Sequence, residues 1–164
     1  MALSNNFLAI VLVIGLSMAN ICCATSLTSK LKYIVPHNMA RAIEHLPPVT
    51  WNDTLAAFAK AYARERAVDC ALQHSGSPVY GENIAMSTGD LSPSLAIKLW
   101  VGEKPDYDYE LNTCTEGKMC GHYTQVIWKN TKSIGCASAR CQNGGTFITC
   151  NYYPPGNYIG QRPF

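Results

Sequence analysis

The sequence has few charged residues and no cluster of one sign. Charged side chains make up 15% of the 164 residues, the formal net charge is +2, and Lys and Arg are scattered. Because binding to nucleic acid through counterion release needs a concentrated basic face, this distribution argues against nucleic acid as the main partner. Internal repeats and low-complexity tracts are also absent from the sequence. We therefore expect one compact domain.

Three motifs of familiar catalytic or metal chemistry are missing. The sequence has no HExxH helix motif, no GxSxG motif and no paired CxxC motifs. These absences argue against a zinc protease, a serine hydrolase of the GxSxG type and a cysteine zinc site. Ser75 adjoins His74, but adjacent residues rarely face each other as nucleophile and base. We interpret Ser75 as a residue that hydrogen-bonds its own loop.

Residues 1–24 carry no charged side chain at all. They include an apolar block from Phe7 to Met18, which is too short for a comfortable membrane span. Small residues follow as far as Ala24, which is typical of a secretory signal peptide. We predict that residues 1–24 are this signal peptide and that residues 25–164 form a single domain. An uncleaved anchor is the alternative, because the segment lacks the usual Lys or Arg.

Loss of the predicted signal peptide leaves six cysteines. An even number in an oxidising compartment predicts three disulfides, but the spacing alone does not choose among the possible pairings. The triplet that begins at Asn52 is an N-glycosylation acceptor, although it lies where a helix is expected to begin. The six cysteines are Cys70, Cys114, Cys120, Cys136, Cys141 and Cys150.

Helices are predicted in the first part of the chain. One is expected to start at Pro36, because proline lacks the amide donor that a helix interior requires. Asn52 or Asp53 is a plausible cap for a second helix with one apolar stripe. A third should begin at Ser92, with Glu103 in its last turn.

Strands are predicted in the later part. Residues 123–128 alternate with a period of two and predict a strand. Residues 134–139 and 146–152 predict a hairpin around the turn at 142–145. Residues 74–90 are rich in Gly, Ser and Pro and predict a loop. Early helices and late strands indicate an α+β fold rather than a parallel sheet.

Two histidines lie in glycine-bearing turns and can combine with two glutamates. Such a set can bind a divalent cation or perform acid and base chemistry. The other histidines, His37 and His45, are interpreted as structural. Tyr107 and Tyr109 can form one wall of an apolar groove, with ordinary loop packing as the alternative. The candidate set of four is His74, Glu82, Glu103 and His122.

Several strings together resemble the CAP superfamily, and most closely its plant branch, the pathogenesis-related class-one proteins. The resemblance extends over essentially the whole predicted mature chain. It implies a three-layer α-β-α sandwich with three disulfides. The implied pairs are Cys70 with Cys141, Cys114 with Cys120, and Cys136 with Cys150. The strings are HNMAR, TWNDTLA, GENIA, LWVGEK, CGHYTQVIW, IGCASARC and CNYYPPGNY.

The resemblance also implies sites and a function. By this resemblance, the two histidines and two glutamates form a cleft tetrad associated with a divalent cation, zinc or magnesium. Tyr107 and Tyr109 would lie in a loop associated with sterol binding. The expected protein is a monomer secreted to the apoplast. There it would act against fungi and oomycetes by binding sterols, other lipids or microbial membrane components. No general catalytic activity defines the family.

Two further functions are kept as alternatives. One is a metal-dependent hydrolase that uses the tetrad. The other is a precursor whose C-terminal tail, residues 154–164, is released as a signalling peptide by cleavage between Tyr153 and Pro154.

Overall fold

The first helix continues through a proline that was expected to start it. In the computed structural model, helix α1 covers residues 28–43, so the prediction of a start at Pro36 is wrong. Pro36 has no N–H for the carbonyl four residues earlier, that of Lys32. The hydroxyl of Ser94 donates to that carbonyl at 3.3 Å. A partner from a neighbouring helix thus replaces the one that the proline removes.

The structure describes residues 28–164, and the predicted signal peptide lies outside the described residues. Residues 32–164 form one compact unit. No helix in the described part of the chain is long and apolar enough to cross a membrane.

The main sheet has four strands in the spatial order β1-β5-β6-β2. β1 pairs with β5 in parallel, and the other pairs are antiparallel. The hairpin predicted around residues 142–145 is confirmed by β5 and β6. A separate two-stranded hairpin is formed by β3 and β4. The strands are β1 (Thr50–Trp51), β2 (Gly81–Ser87), β3 (Tyr107–Asp108), β4 (Thr113–Cys114), β5 (Ser133–Arg140) and β6 (Thr146–Tyr153).

Strand β2 corrects the prediction that residues 74–90 are a loop. It pairs with β6 along its whole length, from Gly81 opposite Tyr152 to Ser87 opposite Thr146. The composition of the segment gives no sign of this partner, which is distant in sequence. Because side chains alternate along a strand, successive residues of β2 face opposite sides of the sheet.

Helices cover both faces of the sheet, which gives the α-β-α layering that the resemblance implies. Helix α2 (Asp53–Arg66) begins at Asn52, whose side chain accepts from the N–H groups of Thr54 and Leu55, so the predicted cap is confirmed. Helix α2 packs so closely on β5 that a Cβ added to Gly135 would lie 2.1 Å from the backbone nitrogen of Ala56.

The opposite face of the sheet carries residues 32–43 of α1, helix α3 (Pro93–Val101) and a short helix, α4 (Gly121–Val126). The predicted cap of α3 is confirmed, because the Ser92 side chain accepts from the N–H of Leu95. Helix α4 corrects the prediction of a strand at 123–128. Its residues Tyr123, Thr124, Gln125 and Val126 are all buried. An apolar alternation in a segment enclosed on all sides does not distinguish helix from strand.

Three disulfides hold the elements together, in the same pairs that the resemblance implies. Cys70, four residues after α2, is bonded to Cys141 after β5. Cys136 and Cys150 join β5 to β6. The bridge from Cys114 to Cys120 closes a short loop that leads directly into α4. Disulfides of this kind typically stabilise a small domain by about 2–4 kcal/mol each.

Two fully buried polar side chains of α1 reach other elements. Nδ1 of His37 donates to the carbonyl of Tyr33, since a carbonyl only accepts, and Nε2 lies 2.8 Å from the hydroxyl of Tyr152. The guanidinium of Arg41 donates to carbonyls at the end of α4, those of Val126 and Trp128, at 3.0 and 2.8 Å. The structural role predicted for His37 is thus confirmed, and Arg41 fixes the far end of α4.

Candidate functional site

Two histidine–glutamate pairs lie at the edge of the sheet formed by β2. Nδ1 of His74 is 2.8 Å from Oε1 of Glu82, and Nδ1 of His122 is 2.6 Å from Oε1 of Glu103. His74, Glu82 and His122 line one cavity of about 360 Å³, which we call the cleft. Glu103 is not among the residues that line it. The structure therefore brings three of the four predicted residues to one surface and places the fourth in contact with His122.

Helix α4 begins at the His122 pair, and Glu103 holds that beginning in place. The carboxylate accepts the backbone N–H groups of His122 at 3.0 Å and Tyr123 at 3.3 Å. These are two of the amide donors that a helix start leaves without intrahelical partners. Glu103 thus caps α4 as well as orienting the imidazole.

The position of Glu103 differs from the expected one. Helix α3 ends at Val101, and Glu103 precedes a 3₁₀ turn, Lys104–Asp106. The side chain was expected in the last turn of α3, where a negative charge is unfavourable. It lies instead at the N-terminus of α4, where backbone N–H groups favour a negative charge.

Two further residues hold His122 and were not singled out from the sequence. The amide of Asn83 donates to the carbonyl of His122 at 3.0 Å and to the hydroxyl of Tyr152 at 3.2 Å. The ring of Trp100 stacks on the imidazole with centroids 6.2 Å apart and planes 15° apart. Asn83 follows Glu82 directly in the GENIA string, which was the available signal. The sequence does not show that the side chain of Asn83 points into the protein, because this depends on the pairing of β2 with β6.

Glu82 is the better buried partner of the other pair. Its side chain is 6% exposed, whereas that of His74 is 58% exposed. The carboxylate also accepts the backbone N–H of Ser75 at 2.8 Å and the amide of Asn151 at 3.3 Å. Burial raises the pKa of Glu82, but the hydrogen bonds from His74 and Ser75 outweigh it and hold the pKa below its usual value. Glu82 is therefore a carboxylate at neutral pH.

The two pairs fit a metal only as a partial set of ligands. In many metal sites a histidine gives one ring nitrogen to a carboxylate and the other to the metal. Both imidazoles here contact a glutamate through Nδ1, and neither Nε2 has a hydrogen-bond partner among the described residues. Across residues 28–164, however, no group of three or more His, Cys, Asp or Glu side chains is placed to hold a metal ion. A metal would thus have two imidazole ligands, and water or a bound molecule would supply the rest.

Two segments that form neither helix nor strand line the rim of the cleft. The disulfide-closed loop contributes Lys118 and Met119, and the C-terminal tail contributes Asn157. Asn157 donates to the carbonyl of Gly121 at 2.8 Å and accepts from the hydroxyl of Thr124 at 2.7 Å. Its side chain therefore fastens the tail to α4, beside His122. Sequence analysis treated the tail only as a peptide and missed this role.

The loop that carries Tyr107 and Tyr109, which we call the aromatic loop, does not line the cleft. The rings of Tyr107 and Tyr109 meet edge to face with centroids 6.4 Å apart. The hydroxyl of Tyr109 donates to the carbonyl of the last residue, Phe164, at 2.8 Å. Tyr109 is therefore connected to the tail.

The remaining predicted residues lie at the surface. Tyr153 is 48% exposed, and its carbonyl accepts the N–H of Lys132 at 2.9 Å. The carbonyl of Pro154 accepts from the hydroxyl of Thr131. Asn52 uses its side-chain oxygen to cap α2. Cleavage before Pro154 and glycosylation at Asn52 stay predictions.

Comparison with known proteins identifies relatives along most of the chain. A family model described as the cysteine-rich secretory protein family, CAP, matches residues 35–152. The pathogenesis-related protein PR-1 type of Sambucus nigra is 49% identical over 97% of this chain and 96% of its own. Pathogenesis-related protein 1 of Arabidopsis thaliana is 52% identical over 83% of each chain.

Solved structures share the fold at lower identity. Schistosoma mansoni venom allergen-like protein 4 is 27% identical with a TM-score of 0.64, over 80% of this chain and 90% of that chain. The crystal structure of NaASP2 with Zn²⁺ is 22% identical with a TM-score of 0.66, over 83% and 84% of the two chains. At that identity the second likeness shows the fold alone.

Proposed function

Because this chain belongs to the CAP family and its plant relatives are pathogenesis-related proteins with a defence-related role, we propose that it defends a plant by binding sterols of microbial origin. On this proposal the protein is secreted to the apoplast, where it withholds a membrane component from fungi and oomycetes. Three disulfides are typical of an oxidising, extracellular compartment.

The aromatic surface around Tyr107 and Tyr109 carries this proposal. Besides the contact between those two rings, Tyr107 lies 6.3 Å from the ring of Tyr123, and Tyr109 lies 5.2 Å from the ring of Phe164. Aromatic side chains offer broad, rigid apolar faces, and pockets for small molecules are usually lined by such groups with a few polar ones. A flat, fused-ring lipid matches these faces better than an elongated polar ligand does.

Binding of labelled cholesterol by the purified mature protein tests the proposal. We expect saturable binding that Tyr109→Ala weakens about tenfold, because an aromatic wall is lost. Tyr153→Ala is the matched control, since that tyrosine is similarly exposed, 48% against 41%, and lies outside this surface. Binding that does not saturate, or that both variants reduce equally, would contradict the proposal.

A second candidate function is supported by the two imidazoles that line the cleft. If a divalent cation binds there, it would supply Lewis-acid chemistry, and His74 and His122 would be its ligands from this chain. Glu82 and Glu103 would orient the rings. Zinc titration by calorimetry should show a site that His122→Ala abolishes and that His45→Asn leaves intact. A broad hydrolase screen, with and without a chelator, then separates a metal-dependent hydrolase from a protein that only binds metal.

Release of the tail is compatible with its structure but requires local opening. Residues 154–164 contain no helix or strand, and Ile159 is fully exposed. The carbonyls on both sides of the proposed cleavage point are hydrogen-bonded to the segment 131–132. Incubation with plant extracellular fluid and mass spectrometry of the products tests this alternative. A peptide beginning at Pro154 is the expected product, and cleavage elsewhere in the tail would contradict it.

A further inference from the structure

Beside the aromatic loop lies a small cavity with one acidic residue in its lining. Its volume is about 220 Å³, and we call it the aromatic pocket. We propose that Glu44, at this pocket, accepts a hydrogen bond from the hydroxyl of the bound sterol. This inference rests on the sterol binding proposed above, and it adds which end of the ligand enters and what recognises it. The pocket is lined by Glu44, Lys104, Tyr107, Tyr109, Tyr123 and Phe164.

The carboxylate of Glu44 is held in place and is only 13% exposed. Oε1 accepts from the ammonium of Lys104 at 2.6 Å and from the hydroxyl of Tyr123 at 3.1 Å. A carboxylate has two oxygens and about four acceptor sites. Within the described residues both of these bonds end at the same oxygen. The second oxygen can therefore accept from a hydroxyl without breaking either bond.

Tyr123 stays a donor in this arrangement. Burial is the main cause that raises the pKa of its hydroxyl, and the negative charge of Glu44 raises it further. The phenol thus keeps its proton and continues to point it at Glu44. Lys104 and Tyr123 thus both hold the carboxylate of Glu44 in place in the lining of the aromatic pocket.

The size of the pocket and the hydrogen-bond acceptor in it define the class of ligand. Pockets that enclose a whole drug-sized molecule usually measure about 300–1,000 Å³, so a cavity of 220 Å³ admits one end of a sterol. The hydroxyl-bearing ring would enter, and the rest would lie along Tyr107 and Tyr109. An alcohol can donate a hydrogen to the second oxygen of Glu44, whereas an ionised fatty acid has no hydrogen to donate. At Glu44 the pocket therefore favours a flat alcohol over an ionised acid.

The tail forms one wall of the same pocket. Phe164 is the last residue, and its ring and carbonyl both contact Tyr109. Arg162 donates to the carbonyls of Tyr109 at 3.1 Å and Glu110 at 2.8 Å. Removal of residues 154–164 would take away this wall. Tail release and sterol binding are therefore expected to oppose each other.

The test compares cholesterol with its 3-O-methyl ether, which lacks the donor hydrogen. A hydrogen bond to a charged group contributes about 1.5–3 kcal/mol, so the mature protein should prefer cholesterol by about tenfold or more. Glu44→Ala should remove this preference. Glu44→Gln keeps the shape, but its single oxygen stays the acceptor for Lys104 and Tyr123, and an NH2 group that only donates replaces the second oxygen, so this variant should remove the preference too. Glu116→Ala, an exposed carboxylate on another loop, is the control.

The possible outcomes distinguish the role of Glu44 from sterol binding itself. Loss of the preference in both Glu44→Ala and Glu44→Gln is the expected result. Saturable cholesterol binding with an unchanged preference in both variants would overturn the role of Glu44 and leave sterol binding standing. Absence of saturable binding by the unmodified protein would overturn both. If Glu44→Ala does not fold, an undiminished preference in Glu44→Gln is by itself the contradicting result.

Discussion

The carboxylate of Glu103 lies 2.6 Å from Nδ1 of His122 and 3.0 Å from the backbone N–H of the same residue. One side chain therefore orients the imidazole at the cleft and caps the helix that carries it. Stability and cleft geometry are coupled at this residue.

Replacement of Glu103 should affect both properties. Glu103→Ala leaves the N–H groups of His122 and Tyr123 without their acceptor, and we expect the free energy of unfolding to fall by about 1–3 kcal/mol. Urea unfolding measures this, and nitrogen NMR of the His122 ring should show a changed tautomer balance. Glu110→Ala, at an exposed position, should change neither quantity. A stability loss without any change at the ring would mean that Glu103 only caps the helix.

The buried His37 predicts a pH dependence of stability. Burial lowers its pKa to about 4 in the folded state, whereas the unfolded value is about 6.5. The unfolded chain therefore binds a proton first as the pH falls, so stability is full above about pH 6.5 and is lost progressively towards pH 4. A difference of this size corresponds to about 3 kcal/mol.

Unfolding by urea at several pH values between 4 and 7 measures that loss. His37→Gln should remove most of the dependence in this window, and His45→Asn, at an exposed position, should keep it. The pKa of Glu82 is lowered, so its stabilising contribution is present above its unfolded value near 4.3 and is lost only below it. An unchanged slope in His37→Gln would show that another group causes the dependence.

Arg41 should be among the most costly residues to replace. Besides the two carbonyls at the end of α4, it donates to those of Pro47 and Thr131. Arg41→Ala leaves these buried acceptors without a donor and creates a cavity, and we expect a loss of about 3–5 kcal/mol. Arg64→Ala, on the exposed face of α2, is the control, and thermal unfolding is the measurement. A loss below about 1 kcal/mol would contradict the structural role given to Arg41.

Asn157 should control how firmly the tail is held. Its backbone is left-handed, with φ of 58°, so Asn157→Gly removes the side-chain bonds to Gly121 and Thr124 while permitting the same backbone. Amide exchange in residues 156–158 should accelerate about tenfold for a loss of about 1.4 kcal/mol. Exchange in β5 should not change. Equal exchange in the variant and the unmodified protein would show that other contacts hold the tail.

Local signals in the sequence predicted the elements whose stabilising contacts are local. The caps Asn52 and Ser92 bond to amides within three residues, and the hairpin at 142–145 joins adjacent strands. Where a distant partner decides the structure, these signals failed. The carbonyl of Lys32 is satisfied from α3, which is why the helix passes Pro36.

The candidate site shows the same limit. The residues themselves and the resemblance both indicated the titratable residues of the site, and two His–Glu pairs do lie at one edge of the sheet. Asn83, Trp100 and Asn157 could not be assigned, because their roles depend on how β2, α3 and the tail meet α4. Glu44 was missed for the same reason: its partner Tyr123 is far away in sequence and lies in a segment predicted as a strand.

Growth inhibition by sterol-loaded protein tests the central claim most directly. The mature protein, with and without a prior equimolar load of cholesterol, would be added to a microbe that must take up sterol from its medium. We predict that the unloaded protein slows growth and that the loaded protein does not, because its binding surface is already occupied. Equal inhibition by both forms would contradict a defence function based on sterol binding.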